Sequence, residues 1–441
     1  MTKTTPIDYA TVNEVIDSFH LPDFKKATIR EIVAITNKVE EKTGDKYIRM
    51  EMGVPGLPPE KIGVDAQIEA LKKGVASIYP MLDGVPDLKK EASRFIKAFI
   101  DVDITPRGCV PVCGSMQGTF ASFTVSSQCD PKKDTILFID PGFPVQKSQL
   151  AVIGMKYVSF DMYDYRGAKL IEKLDSYLRQ GNIANIVYSN PNNPSWVCLT
   201  EEELKGIGEL ATKYDVIVME DLAYFAMDFR TDLSKPFQPP FQPTVAKYTD
   251  NYIIMISGSK AFSYAGERIG IAAISDKLYD KQYEGLRQRY GGVCEFGNVF
   301  VNRILYCLSS GTAHSVQYAL AAMFKSASDG KFNFLASVHE YGRRAELLKR
   351  IFLKHGFHLV YEKDIDRPIG DGFYFTVGYP GMKGGELMHE LLFYGVSAIS
   401  LNTTGSNEEG LRACTSFIKN DQYEILDERL KAFRKDHPVT A

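Results

Sequence analysis

The chain has 441 residues and a formal net charge of −3, with 44% hydrophobic and 24% charged residues. This composition is typical of a globular protein and excludes a disordered or fibrous chain, and the near-neutral charge lacks the basic surface that nucleic-acid binding needs. The length predicts two domains, and no apolar run is long enough to span a bilayer.

Residues 1–50 are expected to form a separate N-terminal segment with helical stretches near 11–19 and 25–42. The polar residues 1–8 lack the apolar core of a signal peptide. We expect these helical stretches to pack on the smaller domain or on a partner subunit.

Residues 51–328 alternate short apolar runs with segments of helical length. Such runs, rich in Val and Ile, are typical of strands that are buried on both faces of a parallel sheet. The alternation predicts a large α/β domain with right-handed crossovers. The predicted strands cover residues 110–113, 135–139, 156–160, 184–188, 216–219, 252–256 and 269–274.

Helix and strand signals continue toward the C-terminus. Thr200 and Glu203 have the spacing of a capping box, which predicts a helix that begins there. Residues 331–359 are rich in Lys, Arg and Glu and predict a long amphipathic helix followed by a strand. Residues 329–441 are expected to form a smaller α+β domain. Its predicted strands cover residues 358–361, 372–377 and 396–400.

The motif Ser257-Gly258-Ser259-Lys260 follows the strand predicted at 252–256. Folds of the α/β class bind ligands at the carboxyl ends of their strands, and small residues let the backbone approach a cofactor closely. The two hydroxyl groups and the later Arg268 suit a phosphate group. The alternative is a solvated lysine beside a Ser-rich turn.

An acidic residue marks the end of another predicted strand. Asp221 follows the strand at 216–219, and Tyr224 lies three residues further on. A carboxylate there can bind a metal, pair with a cation or cap a helix N-terminus, and all three interpretations remain open at this point.

Two further motifs follow predicted strands. The segment Ser189-Asn190-Pro191-Asn192-Asn193-Pro194 predicts a turn, with one Asn amide directed at a ligand above the sheet edge. The segment Gly114-Ser115-Met116-Gln117-Gly118 precedes a helical stretch, and backbone N–H groups at a helix N-terminus bind anions. Its glycine spacing matches neither a dinucleotide fingerprint nor a Walker loop.

Together the four motifs would lie on the carboxyl edge of one sheet. They supply phosphate-binding groups, an amine nucleophile, a carboxylate and an amide, a set that suits pyridoxal 5′-phosphate. The histidines at 355 and 358 lack the helical spacing of a zinc site, and we expect no metal.

At this point the sequence resembles the class I/II aminotransferases, which are pyridoxal-phosphate enzymes of fold type I. The resemblance covers residues 45 to 417, and its motifs occur in the family's order. They are Tyr79-Pro80 with Gly84, Gly114-Ser115-Met116-Gln117, Asp140-Pro141-Gly142-Phe143, Asn190-Pro191-Asn192-Asn193-Pro194, Asp221-Leu222-Ala223-Tyr224, Ser257-Gly258-Ser259-Lys260, Arg268-Ile269-Gly270 and Gly410-Leu411-Arg412. The implied fold is a three-layer large domain with a mostly parallel seven-stranded sheet and a smaller α+β domain.

The resemblance also implies residue roles toward the cofactor. Lys260 would form the covalent link with the cofactor aldehyde and then act as the base that moves the substrate proton. Asp221 would pair with the pyridine nitrogen, Tyr224 and Asn193 would bond the 3′-oxygen, and Phe143 would stack on the ring. The phosphate would be bound by Ser115, the Met116 N–H, Ser257, Ser259 and Arg268.

Substrate recognition and assembly follow from the same resemblance. Arg412 would bind the substrate α-carboxylate in bidentate fashion, with help from Asn193 and the backbone of Gly53. Tyr79 would reach the phosphate of the neighbouring subunit, which implies a homodimer with shared active sites.

The sequence departs from the family pattern after Asn193-Pro194. The family usually continues with Thr-Gly, whereas this chain has Ser195-Trp196, the only tryptophan of the protein. Trp196 can shape the entrance for the substrate or pack as a large apolar residue, and we favour packing.

The predicted function is transfer of an amino group from an L-amino acid to a 2-oxo acid by a ping-pong mechanism, as part of amino-acid metabolism. The alternative is a carbon–sulfur β-lyase or a decarboxylase on the same scaffold. A cofactor-binding regulator is disfavoured: such regulators generally carry an N-terminal winged helix–turn–helix, and the roughly 45 residues before the enzyme-like part are too few for that module plus a linker. Seven scattered cysteines without a Cys-x-x-Cys pair predict reduced thiols and a cytoplasmic location.

Overall fold

The computed structural model describes residues 5–439. Within them the chain forms two compact units. The larger unit comprises residues 57–192 and 198–338, and the smaller unit comprises residues 5–56, 193–197 and 339–439. The domain boundaries expected after residues 50 and 328 stay a prediction.

The secondary structure alternates strands and helices through the larger unit. The helices are α1 Tyr9–Ser18, α2 Ile29–Thr43, α3 Lys61–Lys72, α4 Pro86–Ile100, α5 Gly114–Cys129, α6 Pro144–Ile153, α7 Ala168–Leu178, α8 Glu201–Lys213, α9 Asp276–Asp280, α10 Glu284–Arg289, α11 Phe296–Val299, α12 Tyr306–Ser309, α13 His314–Ser328, α14 His339–Lys354, α15 Gly384–Phe393 and α16 Tyr423–Asp436. The strands are β1 Ile48–Arg49, β2 Cys109–Val112, β3 Thr135–Asp140, β4 Lys156–Asp161, β5 Ile183–Ser189, β6 Ile217–Leu222, β7 Tyr252–Ser257, β8 Gly270–Ile274, β9 His358–Leu359, β10 Lys363–Asp364, β11 Arg367–Pro368, β12 Tyr374–Gly378, β13 Val396–Ser397, β14 Ile399–Ser400 and β15 Leu411–Cys414.

A seven-stranded sheet in the order β2-β8-β7-β6-β5-β3-β4 forms the centre of the larger unit. Neighbouring strands from β7 to β4 pair in parallel, and β8 runs antiparallel to both β7 and β2. Strands β2, β5, β6 and β7 therefore end on the same edge of the sheet. The mostly parallel α/β sheet expected from the sequence is confirmed.

The seven predicted strands are the seven strands of this sheet, and only at β6 does an end differ from the prediction by more than one residue. The sequence places Asp221 after the strand, but β6 continues through Glu220 and Asp221 to Leu222. Both carboxyl groups are buried, and Glu220 accepts a hydrogen bond of 3.1 Å from the hydroxyl of Tyr188 on β5. Because the sheet interior supplies donors, these polar residues do not end the strand.

Helix α8 begins at the predicted capping box. Thr200 Oγ1 accepts from the Glu203 N–H at 3.2 Å, and the Glu203 carboxylate accepts from the Thr200 N–H at 2.9 Å. The same buried carboxylate accepts two hydrogen bonds from the guanidinium of Arg166, each 2.8 Å. One side chain thus starts the helix and joins it to the segment before α7.

The smaller unit contains a four-stranded sheet in the order β14-β15-β12-β9. Its apolar core includes side chains from α1 and α2, such as Val12 and Ile35, together with Leu391 and Phe433. The predicted helix within 331–359 is α14, which begins only at His339. Strand β15, which carries Arg412, was not predicted, because the arginine interrupts a run of only four residues.

Over residues 5–439, no helix is long and apolar enough to cross a membrane.

Candidate active site

Lys260 and Asp221 lie at the same edge of the larger unit's sheet. Strands β6 and β7 are parallel neighbours in which Asp221 faces Met255. Lys260 follows three residues after the end of β7 and is half-buried. The topology therefore brings together the ends of two strands that carry an amine and a carboxylate, as predicted.

The carboxylate of Asp221 is held by two donors. The Ala223 N–H donates to Oδ1 at 3.1 Å, and the Gln146 side-chain amide donates to Oδ2 at 3.1 Å. Burial raises the pKa of Asp221 to about 6, against the opposing effect of these two hydrogen bonds. No helix begins after β6, so the helix-cap interpretation of Asp221 is wrong.

Sequence analysis missed Gln146. It lies in the first turn of α6, three residues after Phe143, and is buried. The only signal in the sequence is its position in the helix that follows the Asp140-Pro141-Gly142-Phe143 motif. That position does not reveal that its amide reaches a different strand.

The N-terminus of α5 lies beside a guanidinium group. Gly114 has φ +67°, and a Cβ atom there would lie 2.4 Å from Nη2 of Arg268. The guanidinium therefore lies against the first turn of a 16-residue helix. The hydroxyl oxygen of Ser115 is buried and has no hydrogen-bond partner among residues 5–439. Exposed N–H groups, a positive charge and an unpaired hydroxyl group fit a phosphate.

The segment after β7 adds two hydroxyl groups. The Ser257 Oγ accepts a hydrogen bond of 3.0 Å from the Ser259 N–H, and both serines are buried. The carbonyl of Met116 accepts from the amide of Gln149 at 2.8 Å, which joins the first turn of α5 to α6. The name candidate phosphate site is used below for Ser115, the Met116 N–H, Ser257, Ser259 and Arg268.

The remaining predicted residues occupy different environments. Tyr224 is buried shortly after β6, and Phe143 is half-buried at the start of α6. Asn193 is buried and belongs to the segment 193–197 of the smaller unit. Tyr79 is 87% exposed in the single chain.

In the smaller unit, Arg412 is a buried cation. Its side chain is 1% exposed, its Nη2 donates to the carbonyl of Glu51 at 2.6 Å, and its guanidinium lies 4.8 Å from the ring centre of Tyr374. Its Nε has no hydrogen-bond partner in the described part of the chain. A buried guanidinium with an unused donor is suited to bind a carboxylate. We call Arg412 with Gly53 the candidate carboxylate site.

Glu51 and Tyr374 were also missed from the sequence. The Glu51 carboxylate accepts from Arg49 at 2.6 Å and from the Ser397 hydroxyl at 2.6 Å, and this fixes the backbone carbonyl that holds Arg412. A Cβ atom on Gly53 would lie only 2.2 Å from the hydroxyl oxygen of Tyr374. Gly53 is thus required for the close approach of Tyr374.

These residues fit pyridoxal phosphate. The unpaired Ser115 hydroxyl and the helix N-terminus suit its phosphate, and the buried Asp221 carboxylate suits its pyridine nitrogen. Lys260 supplies an amine at the same sheet edge. Within residues 5–439, no cluster of His, Cys, Asp and Glu could hold a metal ion.

The sequence model of the family "Aminotransferase class I and II" matches residues 48–430. Since this match covers most of the chain, the protein belongs to the class I and II aminotransferases. Its fold is that of the pyridoxal-phosphate enzymes of fold type I.

Individual relatives are distant. A probable aspartate aminotransferase of Methanocaldococcus jannaschii is 24% identical over 75% of this chain and 86% of the relative. An LL-diaminopimelate aminotransferase of Halothermothrix orenii is 24% identical over 75% of this chain and 76% of the relative. The solved aspartate aminotransferase of Thermotoga maritima superposes with a TM-score of 0.74 and 19% identity over 93% of this chain and 97% of that structure.

The protein is therefore an enzyme that transfers amino groups with pyridoxal phosphate as its cofactor. Its substrates are an amino acid and a 2-oxo acid.

Proposed function

We propose that this aminotransferase works through Lys260, Asp221 and Tyr224 on the larger unit and Arg412 on the smaller unit, by a ping-pong mechanism. The observation that carries the proposal is the placement of Asp221. It is a buried carboxylate held by Gln146 and the Ala223 N–H, on the strand next to the one that leads to Lys260. Pyridoxal phosphate supplies an aldehyde that can be linked to an amine and a pyridine ring that accepts electrons when protonated.

Each residue has a defined task in this proposal. Asp221 keeps a proton on the pyridine nitrogen, because an ionised carboxylate in a buried site favours a cation beside it. Tyr224 donates to the 3′-oxygen, and Phe143 covers one ring face. Lys260 would hold the cofactor through its side-chain amine and would supply the base that moves a proton at the substrate Cα.

The phosphate and the substrate carboxylate are bound by the two candidate sites. Ser115, the Met116 N–H, Ser257, Ser259 and Arg268 donate to the phosphate. Arg412 binds the substrate α-carboxylate, with Gly53 and Asn193 as further donors. Because amino donor and 2-oxo acceptor both carry this carboxylate, one arginine serves both half-reactions.

The experiment is spectroscopic. Purified holoenzyme is mixed with L-aspartate, L-alanine or L-glutamate, and the cofactor absorbance is followed; 2-oxoglutarate or pyruvate is then added. Transamination converts the lysine-bound cofactor to its amine form, and the 2-oxo acid reverses the change. A cysteine thioether such as S-methyl-L-cysteine tests the lyase alternative: release of ammonia, pyruvate and the thiol from it, without the reversible change, would instead indicate a carbon–sulfur β-lyase. Release of CO₂ from any of these amino acids would indicate a decarboxylase.

The lysine assignment has its own test. Borohydride treatment of the holoenzyme followed by peptide mass mapping should find a pyridoxyl group on Lys260. Lys260→Ala should abolish the half-reaction. A Lys260→Ala variant with the full rate, or an adduct on another lysine, would contradict the proposal.

The enzyme is further proposed to be a cytoplasmic homodimer in which Tyr79 reaches the phosphate bound by the partner subunit. Two observations support this: the cysteines within residues 5–439 form no disulfide bond, and Tyr79 lies in an exposed apolar stretch of the single chain. Ile78 and Met81 in that stretch are 60% and 59% exposed. Exposed apolar surface of this kind is typical of protein interfaces.

A further inference from the structure

Trp196 has a backbone conformation that is unfavourable for its side chain. Its φ is +62°, in the left-handed region, and its side chain is completely buried. This conformation costs an L-residue roughly 1–2 kcal/mol, and a bulky residue rarely adopts it. The family pattern has glycine at this position, which carries no such cost. A tryptophan here therefore needs a compensating interaction.

The indole ring packs inside the smaller unit. A Cβ atom on Gly372 would lie 2.1 Å from the ring atoms of Trp196, so only glycine at 372 leaves room for the indole. The edge of the indole meets the ring of Tyr374, with ring centres 6.4 Å apart and an angle of 68°. Edge-to-face contacts of this kind fix the orientation of both rings.

The ring of Tyr374 in turn contacts the guanidinium of Arg412. The Arg412 guanidinium lies over the Tyr374 ring at 4.8 Å, while the Glu51 carbonyl holds one of its nitrogens. Among residues 5–439, the Glu51 carbonyl and the Tyr374 ring make the specific contacts that orient this buried guanidinium. Removal of the ring would leave the Glu51 hydrogen bond without the support of the cation–π contact.

We propose that Trp196 is a positioning residue for carboxylate recognition: its indole fixes Tyr374, and Tyr374 fixes the guanidinium of Arg412. The strained backbone at 196 is retained because the ring contact orients the arginine before the ligand arrives, which lowers the entropic cost of binding. This inference rests on the proposed function, in which Arg412 binds the substrate α-carboxylate.

The first test uses propionate, a monocarboxylate without an amino group, as a competitive inhibitor of the holoenzyme. Trp196→Gly relieves the backbone strain but removes the ring. The inhibition constant of propionate and the KM values of both substrates should rise about tenfold, with kcat changed less than about threefold. Trp196→Phe, which keeps an aromatic edge, should recover most of the lost affinity.

A matched control separates this effect from general destabilisation. Phe433→Ala removes a buried ring from the same unit's core, where it contacts Tyr379 and Tyr394 rather than Tyr374. It should lower the thermal midpoint and leave the propionate inhibition constant unchanged. If Trp196→Gly behaves like Phe433→Ala, the inference is wrong.

The variant Arg412→Gln separates a failure of the inference about Trp196 from a failure of the proposed function of Arg412. If Arg412→Gln leaves the inhibition constant unchanged, the proposed role of Arg412 fails. If Arg412→Gln raises it and Trp196→Gly does not, only the inference about Trp196 fails. If both variants raise the inhibition constant of propionate, the double variant should raise it no further than Arg412→Gln alone, because Trp196 acts through the arginine.

The wild-type enzyme provides a test that does not depend on folding of a variant. Trp196 is the single tryptophan, so its fluorescence reports on this position alone. Because the indole is fixed before the ligand arrives, propionate should leave the emission maximum unchanged over a concentration range that inhibits competitively. A shift of the emission maximum with a midpoint equal to the inhibition constant would show that the ring moves on binding and would overturn the proposal.

Discussion

At the scale of single residues, the ionisation of Asp221 is balanced between burial and two hydrogen bonds. Burial raises its pKa to about 6, and the Gln146 amide is one of the two donors that counteract this rise. Only the ionised carboxylate can pair with a protonated pyridine ring. In the proposed function, Gln146 would therefore affect how the cofactor is bound without touching the reacting atoms of the substrate.

Gln146→Leu should raise the pKa of Asp221 further, because a donor to the charged form is lost. Cofactor affinity should fall about tenfold near neutral pH, as expected for one hydrogen bond to a charged group. The loss should grow as the pH falls, since the variant's carboxyl group becomes protonated at higher pH than the wild type's. Equilibrium dialysis of the cofactor between pH 6 and 8.5 measures both effects.

Ser148→Ala, on the exposed face of the same helix, is the control for this experiment. It should reproduce the wild-type pH profile. If cofactor affinity depends on pH in the same way in the wild type and in Gln146→Leu, the Gln146 amide does not influence the pKa of Asp221.

Glu220 is a second buried carboxyl group in β6, and its ionisation affects stability. Burial raises its pKa from 4.5 to about 7, despite hydrogen bonds from Thr244 and Tyr188. The folded protein therefore binds a proton that the unfolded chain has already released. The resulting stabilisation is present below about pH 4.5 and is lost as the pH rises toward 7.

Glu220→Gln should flatten this pH dependence. Between pH 4.5 and 7, the unfolding free energy of the wild type should fall by about 2 kcal/mol relative to that of the variant. Urea unfolding of the holoenzyme at several pH values measures it. Glu202→Gln, an exposed carboxyl group of α8, should keep the wild-type slope. If the unfolding free energy of Glu220→Gln depends on pH as steeply as that of the wild type, Glu220 is already ionised in the folded protein over this pH range.

The sequence identifies the reactive residues better than the residues that support them. Lys260, Asp221 and Arg412 are recognisable because amine, carboxylate and guanidinium groups occur in family motifs. Gln146 and Glu51 are not, because a neutral amide and a backbone carbonyl act only after distant segments have packed together. Their contacts with Asp221 and Arg412 follow from tertiary structure.

At the scale of elements, short apolar runs predict the strands of the large sheet because burial on both faces demands them. The rule fails where function or hydrogen bonding introduces polarity. Strand β6 continues past its apolar run because the sheet interior binds Glu220, and β15 escapes prediction because it contains Arg412. Both failures lie at residues with a proposed chemical or stabilising role.

Glu203 gives the strongest test of an element boundary. Thr200→Ala removes one cap hydrogen bond and should destabilise the protein by about 1 kcal/mol. Glu203→Ala also leaves the buried guanidinium of Arg166 without its carboxylate, and should cost about 3 kcal/mol or more. Urea unfolding measures both values, with Glu202→Ala in the same first turn as the control. Equal effects of Glu203→Ala and Glu202→Ala would contradict the assigned double role.

At the scale of the whole molecule, the exposed position of Tyr79 bears on assembly. A tyrosine that is 87% exposed in the single chain between two exposed apolar residues contributes little to the stability of that chain. In the proposed homodimer it would serve the partner's phosphate site. The two active sites would then each contain residues from both subunits.

Hybrid dimers test this arrangement. Lys260→Ala removes the proposed reactive amine, and Tyr79→Phe removes the proposed phosphate donor, so each homodimer should be defective at limiting cofactor. A hybrid of the two variants has one site with both defects and one site with none if Tyr79 acts across the interface. Random pairing makes about half of the dimers hybrids, so co-expressed variants should recover about a quarter of wild-type activity. If Tyr79 acts within its own subunit, every site carries a defect. Purified hybrids, selected by two different affinity tags, would then show no recovery.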